Sequence, residues 1–425
     1  MPLVAFSLLF SVPVAVGGTE LRGHGGPVRA LAILPDGLTA ISGSFDQSAI
    51  LWRIDEGTAI AVLRFHEGAV NAVAALPDGQ FLTGGEDGRI ALWRGTEPKP
   101  ARILDSHSGS VVGLAVSLDG ANIASASWDG TARVQSLSGE ETRILEGHQG
   151  NVNGVAFLPD GRLVSVGYDA TLRIWPKKPG APTILTLPAP LNAVAAADDG
   201  EIVTAGADGI VRILKRDGTV RSEIDTNQTS PITSLALSLD GRRIAAAMVR
   251  GTVAIIDRAQ AKVSGYLTEA GPPVWSLAFR PGGRELLTGD SDGLIRRWDV
   301  TIGKPIGPPA MAISERSPTG LRGDRGAELF QHCAACHTLT SDAGNRAGPS
   351  LHGVFGRRIA TAPGYNFSEA LSKLDIVWTA DTIGKLFELG PTRYTPGTKM
   401  PEQTIGDRRD REALVHFLEE ATKDR

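Results

Sequence analysis

The chain has 425 residues, of which 21% are charged and 42% are hydrophobic, and its net charge at pH 7 is −4. This length is enough for two or three globular domains, and the composition is typical of a folded, water-soluble protein. The small negative charge gives no support to nucleic-acid binding or to a polybasic membrane-binding surface.

The N-terminal segment is apolar from residue 3 to residue 16, which is too short to span a bilayer. It has the character of a secretory signal, and the small residues Ala15 and Gly17 suit cleavage before Gly18. No Lys or Arg precedes Arg22, so a buried first strand or a misassigned start remains an alternative. We expect a signal peptide over residues 1–17 and no integral membrane span. The protein should then be a bacterial protein exported to the periplasm.

A repeat of 39 to 42 residues fills the first three quarters of the chain. A turn rich in Asp and Gly recurs seven times, beginning at Pro35, Pro77, Leu118, Pro159, Asp198, Leu239 and Pro281. Between these turns lie short runs of alternating apolar and polar residues, a pattern typical of half-buried strands. Four strands fit in each repeat, and such a unit cannot bury both faces alone, so we expect the copies to stack around an axis.

The repeats resemble the WD-repeat family, because Gly-His pairs precede the turns, and Asp and Trp follow them at fixed distances. The resemblance implies a seven-bladed β-propeller over residues 18–302, with a structural hydrogen-bonded tetrad in several blades. Repeats five to seven lack the His. Because these His and Asp residues recur in successive blades, we interpret them as structural and not catalytic. The expected tetrads are His24, Ser42, Asp46 and Trp52; His66, Thr83, Asp87 and Trp93; and His148, Ser165, Asp169 and Trp175, while the third repeat has His107, Ser125 and Asp129 with Gln135 in place of Trp.

Closing the ring of blades requires a strand from one end of this domain. Residues 19–22 are the favoured candidate for the outer strand of the last blade, and residues 304–306 are the alternative. Residues 303–322 are rich in proline and small polar residues, which predicts a semi-extended linker.

The two cysteines, Cys333 and Cys336, are followed directly by His337. This is the attachment signature of haem c: the thiols at i and i+3 reach one edge of the macrocycle and the next side chain reaches the iron. A thioredoxin-like redox pair would need a βαβ setting, which the flanking sequence does not offer. Periodic apolar residues predict helices over residues 326–332, 381–389 and 407–421, so we expect a small all-α domain.

Residues 323–425 are similar to class I cytochromes c of the mitochondrial and cytochrome c2-like type. The matching stretches are residues 348–357, 362–365, 376–378 and 394–400. The resemblance implies one covalent haem c on Cys333 and Cys336, with iron ligated by His337 and Met400. It also implies that the Pro349 carbonyl accepts from His337, and that the haem propionates are bound by Arg357 and Trp378, with Tyr365 and Thr398 as further candidates.

The domain departs from its relatives in two respects. Phe387, Leu371 and Phe367 stand where polar residues are frequent, so the haem surroundings should be poorer in hydrogen bonds. Residues 320–425 contain 14 basic and 14 acidic residues, whereas the docking face of mitochondrial relatives is strongly basic. Lys399 and Arg393 remain at that face, but Thr392 replaces a frequent Lys.

Two strong axial ligands leave iron no open position, so single-electron transfer to a redox protein is the favoured function, with no catalytic residues and the propeller as a protein-docking scaffold. One alternative is an oxidoreductase with a second cofactor or substrate site in the propeller. A lesser alternative is a haem peroxidase or gas sensor, which would require Met400 to leave the iron.

Overall fold

The computed structural model describes residues 20–104, 107–138, 142–228, 230–267, 272–307, 324–334, 336–340 and 344–423. The predicted signal peptide and most of the predicted linker lie outside these residues. Within them the chain forms a seven-bladed β-propeller followed by a small helical region, as the sequence predicts. No helix among the described residues is long and apolar enough to cross a membrane.

The propeller consists of seven antiparallel sheets, and the chain runs from the inner to the outer strand of each blade. Strand β1 is Glu20–Arg22. Blades one to four contain β2 (Val28–Ile33), β3 (Thr39–Ser44), β4 (Ala49–Arg53) and β5 (Thr58–Leu63); β6 (Val70–Ala75), β7 (Phe81–Gly85), β8 (Ile90–Trp93) and β9 (Arg102–Leu104); β10 (Val111–Val116), β11 (Asn122–Ser127), β12 (Ala132–Ser136) and β13 (Thr142–Leu145); and β14 (Val152–Phe157), β15 (Leu163–Gly167), β16 (Thr171–Trp175) and β17 (Thr183–Thr186).

Blades five to seven continue the same order. They contain β18 (Leu191–Ala196), β19 (Ile202–Gly206), β20 (Ile210–Leu214) and β21 (Val220–Asp225); β22 (Ile232–Leu237), β23 (Arg243–Met248), β24 (Val253–Asp257) and β25 (Lys262–Leu267); and β26 (Val274–Phe279), β27 (Glu285–Asp290), β28 (Leu294–Asp299) and β29 (Lys304–Pro305).

The ring closes because the inner strands of neighbouring blades pack against one another all the way round, with β26 returning to β2. Every blade has a register shift at the start of its inner strand, for example between Val28 and Ala30 or between Ile232 and Ser234. A bulge at the same step of each blade bends the inner strand and increases its twist. The seven repeats are therefore equivalent in backbone even where their polar residues differ.

The predicted tetrads are confirmed. In the first blade His24 Nδ1 lies 2.9 Å from Asp46 and Nε2 lies 2.7 Å from the Ser42 hydroxyl, which also accepts from Trp52 Nε1 at 2.7 Å. The same network recurs at His66 and His148, and at His107 the contacts to Asp129 and Ser125 are 2.8 and 2.7 Å. Because these networks are buried, each fixes the turn that leads into the inner strand of its own blade, in blades one to four.

Both candidate closing strands pair with the same partner. Glu20–Arg22 pairs with residues 294–296 of β28, and Lys304–Pro305 pairs with Trp298 and Asp299 at its other end. The two short strands therefore share the outer edge of blade seven. Strand β29 lies inside the segment that the sequence assigns to the linker, because the antiparallel pairing continues beyond the turn that follows Asp299.

The helical region has three helices at the predicted places and two single-turn helices between them. They are α1 (Arg325–Phe330), α2 (Glu369–Ser372), α3 (Ala380–Leu389), α4 (Pro391–Tyr394) and α5 (Arg408–Ala421). Asp324 and Asp407 cap α1 and α5, and a capping box of Thr379 and Thr382 begins α3. Helices α1 and α5 cross closely, with the rings of Phe330 and Phe417 5.5 Å apart. This crossing forms part of the core of the helical region, to which Cys333 also belongs.

Candidate functional site

A cavity of about 870 Å³ opens between the helical region and the propeller. Cys333, Cys336, His337 and Met400 all line it, so the structure brings the four predicted haem-binding side chains to one site. Its walls are mainly apolar, with Val354, Ile383, Leu386, Phe387 and Leu418 contributed by the helical core. The propeller completes the wall with residues 25–27 and 45–47 and with Arg64, Phe65 and Glu67.

The cysteines follow α1 in a tight turn. The backbone N–H groups of Cys336 and His337 both donate to the Cys333 carbonyl, at 3.1 and 2.9 Å. Burial raises the pKa of both thiols to about 11. The charge of Cys336 adds to this effect at Cys333, and the charge of Asp46 adds to it at Cys336. An activated redox thiolate needs a lowered pKa, so this pair does not have the character of a thioredoxin-like site.

The imidazole ring of His337 hydrogen-bonds to the backbone. Its Nδ1 lies 2.8 Å from the carbonyl oxygen of Pro349, as expected from the sequence. A carbonyl can only accept, so Nδ1 must carry the proton and Nε2 keeps its lone pair. Burial lowers the pKa of His337, against the opposing effect of the Pro349 bond, so the ring is neutral at pH 7. This is the tautomer that an iron ligand requires.

Met400 lies at the end of the predicted 394–400 stretch and packs against the helical core. Its backbone N–H donates to the Thr398 hydroxyl at 3.1 Å, a bond that does not use the hydroxyl proton. Thr398 also lines the cavity. The loop after α4 therefore presents a thioether and a hydroxyl to the same space.

Arg357 and Trp378 line the cavity together. The guanidinium of Arg357 donates to the carbonyls of His352 at 2.9 Å and Ser350 at 2.7 Å, and burial lowers its pKa. The backbone of Trp378 pairs with that of Arg357, which holds the two predicted propionate-binding residues side by side.

Tyr365 lines the cavity where the helical region meets the propeller. Its hydroxyl donates to the carbonyl of Ala347 at 2.6 Å and accepts from Arg64 Nε at 2.7 Å. A phenol has one proton, so in this arrangement Tyr365 has none left to donate to a propionate. Burial raises the pKa of Tyr365, so its hydroxyl keeps that proton.

Arg64 of the propeller was not anticipated from the sequence. It lies between β5 and His66, and besides Tyr365 it donates to the Ala347 carbonyl. Among the described residues, three further bonds join the two parts: Ala347 N–H to the Gly23 carbonyl at 2.8 Å, Asn366 to the Pro98 carbonyl at 2.9 Å, and Lys399 to the His66 carbonyl. No motif signals these contacts, because they join positions some 270 to 330 residues apart.

A haem fits the residues present. The cavity has a volume suited to a large cofactor, and two thiols and a neutral imidazole line it beside a thioether. The guanidinium nitrogen Nη1 of Arg64 is buried and has no hydrogen-bond partner among the described residues. A buried cationic donor of this kind suits an anionic group at the rim, which the haem propionates would provide.

Comparison with known families separates the same two regions. The model of the WD domain, G-beta repeat, matches residues 17–53, 57–94, 98–135, 139–176 and 262–299, and the cytochrome c model matches residues 323–422. Blade five and the first three strands of blade six thus lie outside the repeat matches, although the structure shows both blades.

The similar proteins are cytochromes c. One from Arabidopsis thaliana is 44% identical over 106 residues, which are 24% of this chain and 94% of that protein. Those from Cochliobolus lunatus and Gibberella zeae are 43% and 40% identical over 100 residues, 23% of this chain and 92% and 93% of theirs. The C-terminal quarter of the chain therefore belongs to the cytochrome c family, which implies one covalent haem c, and it follows a seven-bladed propeller of WD repeats.

Proposed function

We propose that the helical domain holds its haem between His337 and Met400 and transfers single electrons to or from a redox protein. The observation that carries this proposal is that both side chains line one apolar cavity, with the lone pair of His337 Nε2 available. Bound there, a haem supplies a one-electron iron couple, and a thioether ligand favours the ferrous state.

The protein's own residues support this chemistry by position. Pro349 fixes the tautomer and orientation of His337, and the apolar walls from α3 and α5 exclude water from the iron's surroundings. Arg357, Trp378 and Thr398 place polar groups at the cavity wall, where the propionates need partners. The propeller, which has WD repeats, serves in this proposal as a protein-docking scaffold.

We also propose that the chain is exported and acts in the periplasm. The support is the apolar segment over residues 3–16 and the covalent haem, because attachment of haem c is expected outside the cytoplasm.

Replacing Met400 tests the ligand assignment. In Met400→Ala we expect covalent haem to remain, because the cysteines are untouched, while the Fe–S charge-transfer band disappears, ferrous iron binds carbon monoxide and the reduction potential falls. Absorption spectra and a redox titration of the purified holoprotein measure these changes.

Met248→Leu is the matched control, since Met248 is fully buried in blade six and its replacement nearly conserves volume. Its spectrum and potential should match the parent. An unchanged charge-transfer band in Met400→Ala would refute the assignment of Met400.

A further inference from the structure

The propeller covers one edge of the haem cavity. Ring closure places residues 23–25, which follow β1, beside Ala347 and Cys336. A Cβ added to Gly25 would lie 2.2 Å from Cys336 Sγ, so blade one approaches the attachment cysteine as closely as backbone allows. The edge that carries Cys336 therefore faces the propeller instead of open solvent.

Arg64 of the propeller contacts Tyr365, one of the residues that the resemblance assigns to the propionates. Nε donates to Tyr365, Nη2 donates to Ala347, and Cζ lies 5.8 Å from the centroid of the Tyr365 ring. These contacts hold the guanidinium against the cytochrome domain, while Nη1 is buried without a hydrogen-bond partner among the described residues. A buried N–H of a charged group that lacks an acceptor is costly, so an acceptor in the cavity would stabilise this arrangement.

The charge around Arg64 favours an anion. Lys399 also lines the cavity, and its ammonium group donates to the carbonyl of His66, two residues after Arg64. The carboxylates of Asp46, Glu67 and Asp87 lie near these two cations. None of them hydrogen-bonds Nη1 of Arg64, so this N–H still lacks an acceptor among the described residues. The propionates are the anionic groups of a haem.

We propose that Arg64 of the propeller donates to a haem propionate, so that the propeller is part of the haem-binding site and raises the reduction potential of the iron. The proposal rests on the haem position given above. A positive charge beside the haem disfavours the ferric state, which carries one more positive charge than the ferrous state. Separating the two domains should therefore change the potential without changing any iron ligand.

The test uses the full-length holoprotein and its midpoint potential. Arg64→Gln should lower the midpoint potential. Against a fixed reference couple, we expect the ferrous-to-ferric ratio to fall about threefold to tenfold, where tenfold corresponds to about 59 mV for one electron. Arg64→Lys, which keeps the charge, should restore most of the difference. Arg94→Gln is the control, because Arg94 follows β8 of the neighbouring blade and pairs with Gln80 away from the cavity.

Gly25→Val supplies an independent variant, because its side chain would force blade one away from Cys336. It should lower the potential in the same direction as Arg64→Gln, and the double variant should show little further change. Unaltered potentials in both single variants, or equal shifts in Arg94→Gln and Arg64→Gln, would overturn the inference.

The Fe–S charge-transfer band separates this outcome from failure of the proposed function. If the band is present in every variant while the potential does not shift, the assignment of His337 and Met400 as iron ligands is supported and the proposed role of Arg64 is refuted. If the parent lacks the band, the Met400 assignment falls, and the potentials of the Arg64 variants still decide the inference, because covalent attachment depends on the cysteines.

Discussion

At the scale of single residues, the tetrad carboxylates couple the propeller's stability to pH. Burial alone would raise the pKa of Asp169, but the Gln149 N–H, His148 and Thr171 donate to it and lower its pKa to about 2. Burial lowers the pKa of His148 as well, against the raising effect of Asp169. Both pKa values lie below those of the unfolded chain, so acid favours unfolding.

We expect the propeller to lose stability in two pH ranges. Below about pH 6.5 the unfolded chain takes up protons at His148 that the folded state resists, and between about pH 4 and 2 the same holds for Asp169, whose shift corresponds to about 2 kcal/mol. Asp169→Asn should flatten the fall in the acid range. Thermal unfolding followed by circular dichroism at several pH values measures this.

Asp198→Asn provides the comparison, since Asp198 is an exposed carboxylate in a turn of blade five. Its stability should follow the parent's pH profile. If Asp169→Asn lost as much stability in acid as the parent does, the tetrad of His148 and Asp169 would not be the source of that loss.

The sequence predicts single residues well where a motif carries them. The tetrads and the His337–Pro349 bond follow from local spacing and resemblance, and the structure contains them. Tyr365 and Arg64 could not be assigned this way, because the partner of each hydroxyl or guanidinium depends on how the two domains meet. Lys399, expected at an open docking face, instead donates to the His66 carbonyl for the same reason.

At the scale of elements, the crossing of α1 and α5 depends on a close backbone approach. A Cβ on Gly326 would lie 2.2 Å from the Ala413 carbonyl oxygen and 2.6 Å from Phe417 Cβ. The helix backbone cannot move aside at the crossing, so any side chain at position 326 would push the two helices apart. It would also displace Cys333, which follows α1.

Gly326→Ala should therefore destabilise the cytochrome domain by about 1–3 kcal/mol. The same substitution at Gly384 in α3 has the opposite expectation, because nothing lies within 4 Å of the added Cβ and alanine is the better helix former, so we expect a gain of about 0.5–1 kcal/mol. Denaturant unfolding monitored at the haem absorption compares the two. Equal effects of both substitutions would contradict the crossing as the cause.

Elements with strong periodicity were predictable and short ones were not. The three longer helices lie within one residue or two of the expected positions, whereas α2 and α4 have four residues each and carry no periodic signal. Blades five and six keep the repeat spacing and the bulge while lacking the tetrad, so spacing predicts them better than their polar residues do. The sequence favours residues 19–22 as the closing strand over residues 304–306, and in the structure both pair with β28, at different ends of it.

At the scale of the whole molecule, the proposed export sets where the mature chain begins. Cleavage before Gly18 would leave β1 intact, because that strand starts at Glu20. We expect the purified periplasmic protein to begin at Gly18, as measured by mass spectrometry of the intact chain. A cytoplasmic holoprotein that retains Met1 would contradict both export and the cleavage site.

The contacts of the propeller with the cytochrome domain also bear on how partners approach. Arg64, the Gly23 carbonyl and the His66 carbonyl occupy the side of the domain where Cys336 and Lys399 lie. A redox protein must then reach the haem from another side, or make contact with the propeller first. With 14 basic and 14 acidic residues over residues 320–425, long-range attraction adds little to that choice.

Residues 20–25 perform two tasks within six positions: β1 pairs with β28 to finish the ring, and the segment after it touches Ala347 and Cys336. Synthesis runs from the N-terminus to the C-terminus, so this segment is made roughly 270 to 320 residues before its partners. Strand β1 therefore stays unpaired until β28 has been synthesised. Ring closure and docking of the haem-bearing domain are therefore late steps of folding, and both depend on this one segment.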